Sequence, residues 1–263
     1  MAPTQYFRSL AGRERSADGN RRLGLSLAFV AGAANAGGFL AVHQYTSHMS
    51  GIVSSIADDT ALGDLSLALA GVASLLAFVC GAASTALLVN WGRRRGLHSQ
   101  YASPLALEAL LLVGFGMLGS QLADHRPFYA PLTVILLCFI MGLQNAMITK
   151  ISNAEIRTTH VTGMVTDIGI ELGKLCYPNR ALAGPAPEGA SDPSLTALPP
   201  VRANLPKLRV LGAMLAMFIG GGLVGALGFQ HAGYAATLPL AALLVVLAIV
   251  PFADDVRARL DRS

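Results

Sequence analysis

Three stretches of this chain, Leu23 to Val42, Leu65 to Val89 and Pro131 to Thr149, contain no Asp, Glu, Lys or Arg. About 20 apolar residues in a helix cross roughly 30 Å of hydrocarbon, and each stretch is long enough. Further apolar runs extend from about Ala102 to Leu122, Leu208 to Phe229 and Gly233 to Phe252. In lipid a backbone must satisfy its own hydrogen bonds, which helices do segment by segment. The expectation is an all-α, polytopic integral membrane protein with six transmembrane helices. Composition agrees, with 53% hydrophobic residues, 13% charged and a mean hydropathy of +0.54, far from a soluble domain.

Charge orients these spans. Arg8, Arg13, Arg15, Arg21 and Arg22 precede the first; Arg93, Arg94 and Arg95 follow the second; Lys150, Arg157, Lys174, Arg180, Arg202, Lys207 and Arg209 lie between the fourth and fifth; Arg257, Arg259 and Arg262 follow the sixth. Six crossings put every strongly basic loop on one side, so the positive-inside bias predicts cytoplasmic N- and C-termini. A basic start followed by an apolar run also resembles a secretory signal. The run continues past Ala31-Gly32-Ala33 through Phe39, Leu40 and Val42, so it is read as a retained span.

The net charge of +4 is explained by these membrane-flanking loops, and no nucleic acid is expected as a partner; the lipid bilayer is. Cys80, Cys138 and Cys176 are too widely spaced for a metal-ligand pattern and read as packing residues. Neither a metal nor another cofactor is expected.

A twelve-residue pattern recurs 112 positions apart: Thr46 to Ala57 aligns without a gap on Thr158 to Gly169. Both copies are too short and too polar to be ordinary spans. Letting only the first cross would place Arg93 to Arg95 outside, so each copy is expected to be re-entrant or interfacial. Each half then has three crossings, an odd number, and two such halves joined directly have opposite orientations. This is an inverted 3+3 repeat of the kind many transporters use. The expected organisation is a basic cytoplasmic N-terminus over 1–22, a first membrane repeat over 23–126, a second over 127–252 and a cytoplasmic tail over 253–263. Within the second repeat, the Pro/Ala/Gly-rich segment 177–206 reads as a flexible cytoplasmic loop.

The repeat supplies the candidate site. At 100° per residue, His160, Gly163, Asp167, Glu171 and Lys174 fall in a helical stripe about 80° wide; the first copy has His48, Gly51, Ser55, Asp59 and Leu62 there. Such a stripe should face protein, water or an interface rather than lipid. His48 and His160 are candidates for proton relay or for donating to an anion, with helix bracing as the plainer role. Thr46, Ser47, Ser50, Thr158, Thr159 and Thr162 are candidate N-caps or anion donors at a helix start. Gly51 and Gly163 permit close backbone approach. Asn35, Gln144 and Asn145 lie near the ends of the first helix of each half, where an amide needs a partner across helices or a solute. Glu108, the lone acid within an apolar span, is expected near the membrane interface.

These residues carry a family resemblance. Met141-Gly142-Leu143-Gln144-Asn145-Ala146, then Arg157-Thr158-Thr159-His160-Val161-Thr162-Gly163 and Asp167, together with Gly32 to Ala36 and Ser47 to Gly51, resemble the YoaK-like family of bacterial membrane proteins, also called DUF1275 or UPF0700. The resemblance spans nearly the whole chain and implies a multi-pass protein of the bacterial plasma membrane. Relatives usually carry Asp at the place of Asn35 and Thr-Gly-Asn at the place of Ser50-Gly51-Ile52. The biochemical role of the family is largely undefined, so the resemblance implies topology more than mechanism.

No nucleophile elbow, phosphate loop, HExxH or paired CxxC occurs, and an enzyme is not expected. The leading expectation is a secondary transporter or permease for a small polar or anionic solute. The alternative is a membrane sensor or accessory subunit acting through a protein partner. Nothing in the sequence excludes a homo-oligomer.

Overall fold

The computed structural model describes residues 17–42, 44–120, 126–151, 161–179 and 200–260. Its helices are α1 (Ala17–Val42), α2 (Met49–Ala61), α3 (Leu65–Arg94), α4 (Ala102–Ser120), α5 (Arg126–Ile151), α6 (Val161–Cys176), α7 (Leu205–Ala232) and α8 (Thr237–Leu260). No strand occurs among the described residues. Five stretches are long and apolar enough to cross a membrane: Asp18–Leu40, Leu65–Arg94, Ala102–Gly119, Ala130–Lys150 and the 53-residue Leu205–Arg257. The last holds both α7 and α8, separated by a 3₁₀ turn at Gly233–Ala236. Gly233 opens that turn at φ +57°, a left-handed conformation that costs glycine nothing.

The chain forms two compact units, Met1–Thr159 with Ala216–Ser263, and His160–Leu215. In the first, Leu27, Leu105, Leu112, Phe115, Leu137, Met141 and Leu244 are fully buried in one continuous core. The opposite surfaces are apolar too. Leu67, Leu76, Val79 and Leu87 on α3 and Ile219, Leu223 and Leu227 on α7 are all more than half exposed, as suits helices facing hydrocarbon.

A Phe-x-x-Gly sequence occurs at the heart of four of these helices: Phe29 to Gly32, Phe78 to Gly81, Phe139 to Gly142 and Phe218 to Gly221. Each glycine lies on a neighbour's phenylalanine carbonyl. A Cβ built on Gly32 would come 2.0 Å from Phe218 O, and one on Gly221 2.0 Å from Phe29 O. The same holds between α3 and α5, for Gly81 with Phe139 O and Gly142 with Phe78 O, again at 2.0 Å. Without side chains at these points the backbones touch, and dispersion and weak Cα–H···O contacts take the place of side-chain packing.

Partners further along fix the direction. Thr85 Oγ1 donates to Leu143 O at 2.7 Å and Lys150 Nζ to Asn90 Oδ1 at 3.5 Å, so contacts advance together and α3 and α5 run parallel. On α1 and α7 the same advance joins Gly225 to Ala33. Gly221-x-x-x-Gly225 thus packs directly on the backbone of α1.

α4 and α8 run antiparallel. Gly116 lies against Thr237 and Tyr234 at one end. At the other, Asp255 accepts the backbone N–H groups of His98 at 2.6 Å and Ser99 at 3.0 Å, tying the end of α8 to the turn before α4.

Candidate functional site

After α1 the chain doubles back along it. Ser47 Oγ donates to Asn35 Oδ1 at 2.8 Å, and Thr46 Oγ1 lies 3.8 Å from the Cβ position of Gly38. Ser47 thus stands level with a residue about seven positions before the end of α1, or about 10 Å along its axis. α2 then climbs back. Its early residue Ile52 is buried with Ala77 and Cys138, beside Phe78 and Phe139 of the glycine crossing, whereas Ile56 meets Gly71 nearer the start of α3. Asp64 closes the hairpin by accepting from Leu67 N at 3.1 Å. The polar copy of the first half is therefore a short hairpin whose tip reaches the depth of the α3–α5 crossing.

The tip is polar and partly open. His48 occupies the N-cap position of α2 but makes no side-chain cap hydrogen bond; its ring lies against Gly51, where a Cβ would come 2.8 Å from Nδ1. The N-cap position is held by His48 rather than by a hydroxyl residue, and Ser47 Oγ, one residue earlier, donates to Asn35. His48 and Ser50 are exposed, Ser47 and Asn35 half-buried. Thr46, another of the candidate hydroxyls, is buried with no partner for its Oγ1. Asn35, Ser47, His48, Ser50 and Gly51 thus lie near one another at the start of α2, with helix N–H groups that His48 leaves uncapped.

Gln144 does not join them. It is fully buried, donates Nε2–H to Leu27 O at 3.2 Å and leaves Oε1 without a partner. Leu27 stands two turns before Asn35, about 12 Å along α1. Asn145 is half-buried beside Gln144 and accepts the Thr149 hydroxyl on its backbone oxygen at 2.8 Å.

Of the second copy, Thr158, Thr159 and His160 lie outside the described residues. Thr162 is exposed and Gly163 half-buried on α6, where Thr162 O accepts from Thr166 Oγ1 at 2.8 Å. The charges beyond them meet one another. Asp167 pairs with Lys207 at 3.1 Å, and Glu171 with Lys174 at 2.9 Å. Glu171 also accepts the backbone N–H of Asn204 at 2.6 Å, while Asn204 Oδ1 caps the start of α7 through Lys207 N at 3.0 Å. The Asn204 N–H, and next the Lys174 ammonium, hold the Glu171 carboxyl below its ordinary value of 4.5. Asp167 and Glu171 thus clamp the start of α7 to α6. Next to the clamp, Asn179 pairs twice with the backbone of Val201, both bonds at 2.8 Å, closing the base of the proline-rich segment.

Glu108 is fully buried, and neither carboxyl oxygen has a hydrogen-bond partner. It lies in the second turn of α4, on which α3, α5 and α8 all pack. No group of three or more metal-ligating side chains occurs among the described residues.

Among the described residues, an all-helical arrangement with long apolar helices, apolar both at its core and on its outer faces, defines a membrane-embedded protein. The chain belongs to the family described as a protein of unknown function, DUF1275, whose model matches residues 23–250. No curated protein and no solved structure matches it.

Proposed function

We propose that this protein is a non-enzymatic permease for a small polar or anionic solute, with six spans arranged as two inverted 3+3 repeats in the bacterial plasma membrane and both termini in the cytoplasm. The observation that carries the reading is the hairpin tip at Asn35 and Ser47. Polar backbone at such depth is tolerated where it lines a protein-walled or watery cavity. α2 begins there without a side-chain cap from His48, and the N–H groups of Ser50 and Gly51, with the side chains of Ser50 and His48, suit an anion or a hydrogen-bonding solute.

The Phe-x-x-Gly pairs support the repeat. α1 and α5 carry theirs 110 positions apart, α3 and α7 140 apart. The first helix of each half lies on the second helix of the other, parallel both times. A pseudo-twofold axis in the membrane plane exchanges the two pairs, as in transporters built from inverted repeats.

The test is uptake of small anions and neutral polar solutes into liposomes containing the purified protein, read beside protein-free liposomes. Uptake lost on exchange of Ser50 and His48 by Ala supports the reading; no movement of any solute across the panel overturns it. Labelling single cysteines near Leu62 and Arg95 from each side of the membrane checks the topology, and both labelling from one side would sink it.

A further inference from the structure

From the isolation of Glu108 inside the bundle we infer that its carboxyl is a proton-binding site, taking a proton from bulk water and returning it as the protein works. The inference rests on the permease reading only for its purpose, coupling a proton to the solute. The site itself rests on geometry.

The carboxyl has no exposure and no hydrogen-bond partner for either oxygen. It stands six residues into α4, about 9 Å from the first residue, between the buried Leu105, Ala109 and Leu112. The elements that pack on α4 bring no charged residue to mid-helix. On α3 the titratable groups are Cys80, Arg93 and Arg94; on α5, Arg126, Tyr129, Cys138 and Lys150; on the 3₁₀ turn, Tyr234; on α8, Asp254, Asp255, Arg257 and Arg259. The charged ones all stand at helix ends.

Which cation suits the site follows from what is missing. A metal cation replaces its hydration shell with several oxygen ligands, six or so for hard divalent ions, and a single unaccompanied carboxyl supplies two. A proton needs only one oxygen and leaves a neutral group, the form that an apolar interior holds at least cost. An acid in such surroundings is a functional site by default in a membrane helix, where an unused charge would be expensive to keep.

The experiment uses the full-length protein in detergent and in liposomes. A hydrophobic carbodiimide, which captures protonated carboxyls in apolar surroundings, is expected to label Glu108 in the unaltered protein, located by peptide mass spectrometry. Infrared difference spectra between acidic and alkaline samples are expected to show a protonated-carboxyl band that Glu108→Gln abolishes and Glu108→Asp shifts. Absence of carbodiimide from Glu108 while other acids are labelled, or identical difference spectra for the unaltered protein and Glu108→Gln, overturns the inference. The labelling needs no variant, so misfolding of Glu108→Gln leaves the test intact. If Glu108 binds a proton but no solute moves, the permease reading fails and the proton site stands; if solute moves and Glu108 is silent, the reverse holds.

Discussion

Gly221 lies on the carbonyl oxygen of Phe29, so close that a Cβ would come within 2.0 Å of it. The neighbouring Gly220 has nothing within 4 Å of its Cβ position. Gly221→Ala should therefore force α1 and α7 apart, at a cost of about 1–3 kcal/mol, and Gly220→Ala should leave stability nearly unchanged. Melting followed by size-exclusion fluorescence separates the two. Equal melting temperatures would remove the close crossing, and Gly81→Ala is expected to behave as Gly221→Ala does.

Asn35 accepts the Ser47 hydroxyl through Oδ1, a role that an aspartate oxygen fills equally well. Asn35→Asp should keep the hairpin and the melting temperature while adding a negative charge at its tip. Uptake of an anionic solute should fall about tenfold or more, the effect of roughly 1.4 kcal/mol of repulsion, and a neutral solute should be far less affected. An unchanged anion uptake would place the solute elsewhere.

Asp255 caps the turn before α4 through the N–H groups of His98 and Ser99. Asp255→Ala should cost about 1 kcal/mol, typical of a lost helix cap. The amides of His98 and Ser99 should then exchange with solvent faster, with little change at the far end of α4 near Gly116. Uniformly faster exchange along α4 would mean that the contact holds the whole helix rather than its start.

Glu171 has its carboxyl lowered by the Asn204 N–H and the Lys174 ammonium. A carboxyl lowered in the folded state stabilises the clamp above its ordinary value of 4.5, and the stabilisation is lost as pH falls through the folded value. Protection of the Asn204 amide against exchange should thus be constant at neutral pH and decline only on acidification below 4.5. Glu171→Gln should show reduced protection already at neutral pH, and its difference from the unaltered protein should vanish on acidification. A decline already near neutrality would contradict this ordering.

The helices were legible because charge-free runs of that length have few other uses, and the polar hairpin because His48 and Ser50 stand out in an apolar chain. The Phe-x-x-Gly pairs were present in the sequence but concealed. The segment between α6 and α7 lengthens one offset from 110 to 140, and a glycine among apolar residues does not announce whose carbonyl it meets. The burial of Glu108 was not legible because counting residues from a basic loop gives depth along an axis, not which neighbours close around it. Asp167 and Glu171 suggested a site through their phase on one helix; their partners Lys207 and Asn204 lie beyond the proline-rich segment, where helical phase carries no information.

The double pairing of Asn179 with Val201 has a practical consequence. It brings the two ends of the intervening segment within hydrogen-bonding distance and fixes them there. A folded cargo whose own termini lie close together, such as a fluorescent reporter or an epitope domain, can be spliced between them without stretching α6 or α7.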